Sequence, residues 1–427
     1  MKSNITDAGG KLKAGAARVT ESIRGKAIGK KPATAREAGE KQGVFADFGS
    51  ALFTELGLTA EQTEILYNMQ KQKTCCDIEQ EQNPDKKALK SKWVGLWETA
   101  ISDAYTGISG GQHLRWFDEG ELIQSTKEAL AASPNKMWFH LAILETTLFV
   151  LYHPLKTETK GEGKKKKEVA SKEFSAAKPA KSTKECEWAK NFMAQCGHDP
   201  AFVERIRATH KKVVNRLSER NKKIVIMTLV DLAAILATAL TAGLLAPALA
   251  PSIAAAMGAQ FAFSGAALTS ASLAFIAGGS LAAGGGGMIG GTLIIAGGGG
   301  LLGLLGSAAV NGGAASLGLL SNKAYAISQN AKLEVTLREI ILNTQHDVRF
   351  AQLVMERFKE QIISLNGRIT EMELDAKTDK KLLKDLKAVV DIMKKSVKQS
   401  GRFISSFELG LAFEEEAGEE TEDAEDE

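Results

Sequence analysis

From Val44 the apolar residues fall three and four apart, at Val44, Phe45, Phe48, Leu52, Phe53 and Leu56, the spacing that lines one face of a helix. Thr59 then stands before Ala60, Glu61 and Gln62 as an N-cap, with Gln62 placed to close a capping box. This predicts a helix over LTAEQTEILYNMQKQ. After the polar break QEQNPDKK a second helical run carries Trp93, Leu96, Trp97 and Ile101, and beyond Gly110 and Gly111 another begins near Glu121. The last run includes SPNKMWFHLAILETTLFVLYHP, with Pro154 as its expected breaker. Trp93, Trp97, Trp116, Trp138, Phe139 and Phe149 sit at helical spacings, which assigns them to a core. Residues 44–154 therefore read as a helical domain.

Helical spacing resumes in ECEWAKNFMAQC, with Gly197 at the C′ position. Asp199 and Pro200 follow as N-cap and first helical residue. The next helix, AFVERIRATHKKVVNRLSERNKK, has a Phe202, Ile206, Val213, Leu217 stripe and is expected to run on into Ile224. Residues 185–223 are thus amphipathic helices.

Periodicity then gives way to a nearly uniform apolar stretch, 224–322, with Asp231 as its only formal charge. It divides into pieces ending at Ala246, Ala277 and Val310, broken by Pro247, Pro251 and a GGSLAAGGGG hinge. Each piece approaches the roughly 20 apolar residues that a bilayer core requires. Gly286, Gly287, Gly290, Gly291, Gly297 to Gly300, Gly303 and Gly306 recur about one helical turn apart. In lipid such a face allows close helix approach, whereas in water each glycine weakens a helix by roughly 1 kcal/mol. A buried core hairpin is the other environment that suits the stretch.

The clearest periodicity follows it. Ile341, Val348, Met355, Ile362 and Ile369 repeat every seven residues, and Thr344, Ala351, Phe358, Leu365 and Met372 repeat three positions later. These are a and d positions of heptads, predicting one helix from Lys332 to Leu374. Past DAKTDKK, Leu383, Val390, Val397 and Ile404 begin a second series with Leu386, Met393 and Phe407. Two such helices joined by a short turn fold back as an antiparallel hairpin over 323–407.

Charge changes this picture through its segregation, since 54 Lys and Arg against 51 Asp and Glu leave a formal net charge of only +3, too small to argue for nucleic acid. Residues 1–43 are Gly, Ala, Lys and Arg-rich and lack the apolar side chains needed for a packed core. The Lys-rich 155–184 segment reads as a solvated linker. The acidic run over 408–427 reads as a solvated tail that could supply counter-charge to that linker. The N-terminal segment has no apolar run of signal-peptide length, which implies synthesis in the cytoplasm without a Sec signal. Cys75, Cys76, Cys186 and Cys196 do not form a disulfide framework.

A search for chemistry finds no phosphate loop, no G-x-S-x-G, no H-E-x-x-H and no Cys-x-x-Cys. His113, His140 and His153 lack partners at metal-ligand spacing, and Cys186, Cys196 and His198 match no zinc pattern. No catalytic residue, cofactor or metal is assigned, and the chain is expected not to be an enzyme. Asp231 either faces a pore or sits at an interface close to Lys223.

Amphipathic helix, apolar Gly-rich hairpin, amphipathic helix: over residues 184–407 this order resembles, in layout, the α-helical pore-forming toxins of the cytolysin A and haemolysin BL type. Glycine-rich colicin-like and apolipoprotein-L-like channel proteins are a looser likeness. The resemblance implies an all-α, elongated helical bundle that shields its apolar region and then inserts it into a bilayer as an oligomer. Ile224, Leu229, Asp231, Leu244, Phe261, Phe263, Gly286, Gly287, Gly290, Gly291, Ile294, Gly297, Leu301 and Leu304 would be membrane-inserting. Ile341, Val348, Met355, Ile362, Ile369, Leu383, Val390 and Val397 would pack the stalk. The implied partners are a lipid bilayer and a second copy or another helical protein, at an inner or target-cell membrane. The competing expectation is a membrane-anchored scaffold that recruits a partner through its heptads. Basic residues flank both ends of the apolar stretch, which favours an even number of crossings and conflicts with three apolar pieces.

Overall fold

Thr59 caps the first helix as its spacing predicts: its hydroxyl accepts the Gln62 N–H at 3.3 Å while the Gln62 side chain accepts the Thr59 N–H at 3.0 Å. The structure is a computed structural model that describes residues 56–410, apart from 109–111, 156, 161–166, 219–291, 300, 303–304, 306–316, 318–319 and 376–377. The short strand β1 (Gly57–Thr59) leads into α1 (Ala60–Glu79), followed by α2 (Pro84–Ile108), α3 (Glu119–Ala132) and α4 (Met137–Thr147). Asp118 and Glu121 form a second capping box at the start of α3. α1 packs against α2, α3 and α4. Every residue of α4 is buried.

The aromatic residues form part of the core. Trp93 and Trp97 stack with ring centroids 6.0 Å apart, and Trp93 Nε1 donates to the His153 carbonyl at 2.7 Å. α4 ends at Thr147, seven residues before Pro154, because the chain turns there: Lys73 Nζ donates to the carbonyls of Thr146, Thr147 and Phe149 at 2.7, 3.1 and 3.2 Å. A cation at that position also complements the negative end of the helix dipole.

The Lys-rich segment carries structure its composition hides. β2 (Thr157–Lys160) and β3 (Lys167–Ala170) pair antiparallel, Phe174 and Ala177 are buried, and a one-turn helix α5 (Lys181–Lys184) follows. α6 (Glu187–Gln195) ends in the expected glycine cap. Gly197 has φ +78, its N–H reaches the Ala194 carbonyl at 3.0 Å, and the His198 N–H reaches Met193 at 2.9 Å, the paired bonds of a Schellman motif. Asp199 Oδ1 accepts the Ala201 N–H at 2.9 Å and starts α7 (Ala201–Leu217). α7 is described to Leu217, with Ser218 at its C-cap position; the run on to Ile224 that its periodicity suggested lies outside the described residues.

On the far side of residues 219–291, β4 (Thr292–Ile295) pairs antiparallel with β1, Leu58 opposite Ile294, and the Ala296 N–H donates to Leu56 at 2.9 Å. Gly297 (φ +63) and Gly298 (φ +78) then carry the backbone between α4 and the helices that follow. A Cβ at Gly297 would lie 2.4 Å from Thr336 Oγ1 and 2.6 Å from Leu141 Cδ2; at Gly298 it would lie 2.5 Å from Leu333 N. Ala296, Leu301, Leu302, Leu305, Leu317 and Leu320 are all buried in the principal core.

α8 (Lys323–Val335) continues into a π-helix (Thr336–Leu342), and α9 (Val348–Leu374) and α10 (Lys380–Glu408) are the last described elements. The continuous helix expected from Lys332 to Leu374 is therefore broken. Asn343 and Gln345 donate five residues back, to Arg338 and Ile340, His346 takes φ +55, and Asp347 caps α9 through the Phe350 N–H at 2.9 Å. The polar run Asn343–Asp347 has little to bury and a strong cap at its end. α9 packs against α10 and the π-helix, whereas α10 also packs on α7 and α8. Val213, Val214, Leu217, Ile327, Ala331 and Ile392 form a satellite cluster among α7, α8 and α10.

The described part is thus predominantly helical, in keeping with an all-α class, with two short two-stranded ladders. Among the described residues no helix is long and apolar enough to cross a membrane. That finding overturns the membrane-inserting, pore-forming reading together with its transmembrane and membrane-anchored variants. Where the third apolar piece is described, it forms a paired strand and a tight glycine turn inside the core. The first two pieces lie outside the described residues.

Two glycine substitutions separate these roles. Gly298→Ala combines a left-handed backbone with a backbone clash and is expected to cost about 2 kcal/mol or more. Gly367 lies in α9 with open space around it, so Gly367→Ala is expected to stabilise by about 0.5–1 kcal/mol. Urea unfolding midpoints check both.

Candidate functional site: a basic helix face above a buried ionic frame

Several carboxylates lie in the interior, each held by donors from distant parts of the chain. Glu145, the only charged residue of α4, is 2% exposed; its Oε1 accepts the Gly297 N–H at 2.9 Å and its Oε2 accepts Lys332 Nζ at 2.5 Å. Asp77 of α1 is fully buried and accepts from Lys90 Nζ (2.7 Å), Tyr152 OH (2.5 Å), Thr183 Oγ1 (2.7 Å) and the Ala180 N–H (2.6 Å). Burial alone would raise its pKa, but these hydrogen bonds outweigh it and hold the carboxyl below its usual value. Glu64 takes Arg115 through both oxygens and Arg115's own N–H at 2.8 Å.

The same device recurs under α10. Glu334 of α8 pairs with Arg216 of α7 and accepts Ser396 Oγ of α10 at 2.7 Å. Glu339 of the π-helix accepts Thr209 Oγ1 of α7 at 2.6 Å. These carboxylates are engaged as structural anions that clamp one helix to the next, so the chemistry they perform is positional.

α10 presents two unlike faces. Leu386, Val389, Val390, Ile392, Met393, Ser396, Ser400 and Ile404 are buried. Lys380, Lys384, Lys387, Lys394, Lys398 and Arg402 are exposed and, at 3.6 residues per turn, fall within an arc of about 80° on the opposite side. α10 holds eight basic residues against Asp385, Asp391 and Glu408. Asp391 lies within the stripe, and Lys387 pairs with Glu373 of α9. Lys380, Lys384, Lys394 and Lys398 have no ion-pair partner among the described residues. α9, by contrast, carries four basic and four acidic residues between Arg349 and Glu373. The concentration of one sign is particular to α10.

The residues singled out from sequence are distributed as follows. Ile224, Leu229, Asp231, Leu244, Phe261, Phe263, Gly286, Gly287, Gly290, Gly291 and Leu304 lie outside the described residues. Ile294 is in β4, Gly297 is the donor to Glu145, and Leu301 is fully buried. Ile341 lies buried in the π-helix, and Met355, Ile362, Ile369 and Val390 are buried in α9 and α10. Val348, Leu383 and Val397 are half-buried against the same core. Sequence reasoning missed two features. Glu145 is signalled by a single acid in an otherwise apolar helix, and the α10 stripe by lysines recurring at i, i+4 and i+7.

Compared with known proteins, the chain matches no family model, no curated protein and no solved structure.

Replacing Lys332 by Met strands Glu145 in the interior with one N–H donor and is expected to cost about 3–5 kcal/mol. The double variant with Glu145→Leu should cost less than the sum of the singles, which a double-mutant cycle measures. Burial also pushes His140 and His153 down to about 4. Unfolded histidines titrate near 6.5, so between about pH 6.5 and 4 the unfolded chain binds more protons, and stability falls as pH is lowered through that window. Urea midpoints from pH 7 down to pH 4.5 should decline steadily.

Proposed function

We propose that this chain is a non-catalytic helical interaction protein, and that the outer face of α10 binds an acidic segment of a partner protein. One observation carries this reading: a helix buried along one side, with a lysine-dominated stripe on the other and four of its lysines without a counter-ion among the described residues. A buried ionic frame beneath α10 holds that face in a fixed orientation. Such a face raises the local concentration of acidic ligands and speeds their encounter.

The stripe is lysine with a single arginine. Lysine acts as a mobile point charge and lacks the planar fork that reads bases and phosphates bidentately. No aromatic residue interleaves the stripe's exposed lysines to stack bases, which favours a protein partner over nucleic acid. In the same proposal α9 and α10 form an elongated heptad-paired rod that displays the stripe, with Met355, Ile362, Ile369, Leu386, Val390 and Met393 as its seam.

The test uses a fluorescent polyglutamate peptide as probe. The combined variant Lys384→Glu, Lys394→Glu, Lys398→Glu is expected to weaken its binding at least about tenfold with an unchanged circular dichroism spectrum, and added salt should weaken the unaltered chain similarly. Unchanged affinity in the variant, or selection of a nucleic-acid duplex while polyglutamate is ignored, rules the reading out.

A further inference from the structure

The run that follows α10, Glu414–Glu427, contains ten carboxylates and no basic residue. We infer that this acidic run occupies the lysine stripe of α10 in cis and acts as a built-in competitor for the partner. The inference rests on the reading of α10 as an acid-binding face and adds what regulates it.

Four features of the molecule support this occupant. First, α10 ends before the acidic run: Gly410 takes φ +64 with its N–H on the Phe407 carbonyl at 3.1 Å, and a left-handed glycine after a helix stops it from continuing along its own axis. Second, the length fits. Lys384 to Arg402 spans about 27 Å at 1.5 Å per residue, and fourteen extended residues reach up to about 46 Å. Third, the signs are complementary along the whole stripe, with Asp391 its one like charge. The negative end of the α10 dipole repels carboxylates near Glu408 and the positive end near Lys380 attracts them, so the run is drawn along the helix toward its start.

Fourth, tethering favours it. A connection of three residues, 411–413, between Gly410 and the acidic run gives an effective concentration on the order of millimolar, so individually weak surface pairs compete well with a dilute partner in trans. An external acidic segment must then bind more tightly than the tethered one, or arrive when salt or modification has weakened it.

Zero-length carbodiimide coupling of the full chain, mapped by mass spectrometry, tests the placement. Amide links are expected from Glu414–Glu427 to Lys384, Lys394 and Lys398 within one molecule, with a yield independent of protein concentration and several-fold lower when salt is raised from about 0.05 M to about 0.5 M. Links that go instead to lysines 164–167, links between copies that grow with concentration, or none to α10 overturn the inference. A second arm measures competition. A full-length variant with the ten carboxylates changed to amides is expected to bind polyglutamate about tenfold more tightly than the unaltered chain. Equal, measurable affinity overturns the inference while leaving the α10 face intact. If neither chain binds the probe, the reading of that face fails, and the coupling map still decides where the acidic run lies.

Discussion

The contact on which the described fold depends is the Glu145 carboxylate, buried in α4 and shared between Lys332 and the Gly297 amide. Its two donors lie 152 and 187 residues along the chain. A charge placed in the interior without donors loses its hydration and regains nothing, or must take up a proton, and either outcome is costly. The arrangement therefore penalises every packing that fails to bring α4, the glycine turn and α8 together. In net stability such a buried pair returns little beyond its own desolvation, whereas loss of one partner is costly. Apolar burial around it supplies the driving force.

That constraint accounts for the local geometry on either side. Gly297 can present its N–H to Glu145 only because it lacks a Cβ, which Thr336 and Leu141 would meet well inside contact distance. The strand before it pairs with β1, whose Thr59 also caps α1. One short ladder thus links the glycine-rich part of the chain to the first helix of the described core. On the other side α8 widens into a π-helix, and Glu339 and Glu334 turn toward α7 and α10. Such widened turns re-aim side chains that a regular helix would direct elsewhere.

The arrangement of charge in α10 follows from the same principle applied at the surface. Its inner face joins the core and donates a serine to Glu334, so the helix cannot roll to hide its lysines. Fixed like charges on one helix repel one another and favour any acidic ligand that neutralises them. The neighbouring helix α9 balances its own charges, which leaves α10 as the concentrated source of field on the hairpin. A protein with a net charge of +3 can therefore carry a strongly basic face while remaining nearly neutral in sum.

Much of the helical framework was legible in the chain alone. Thr59 and Gln62, Gly197, and Asp199 with Pro200 announced helix ends because caps are made by residues within a few positions of each other. The seven-residue spacing of Met355, Ile362 and Ile369 likewise announced a buried face. What local pattern could not decide was the environment of the glycine-rich segment. Apolar residues with close-packing glycines satisfy lipid and protein core equally well, and composition does not distinguish them. For its described residues 292–299 the choice was made by Leu56 and Leu58, by Glu145 and by Thr336, all remote in sequence. The break at Asn343–Asp347 and the partnering of Lys332 were settled in the same way. Caps and periods are short-range properties that a chain carries with it; the partner of a buried charge, and the surface that a glycine touches, exist only once distant segments have met.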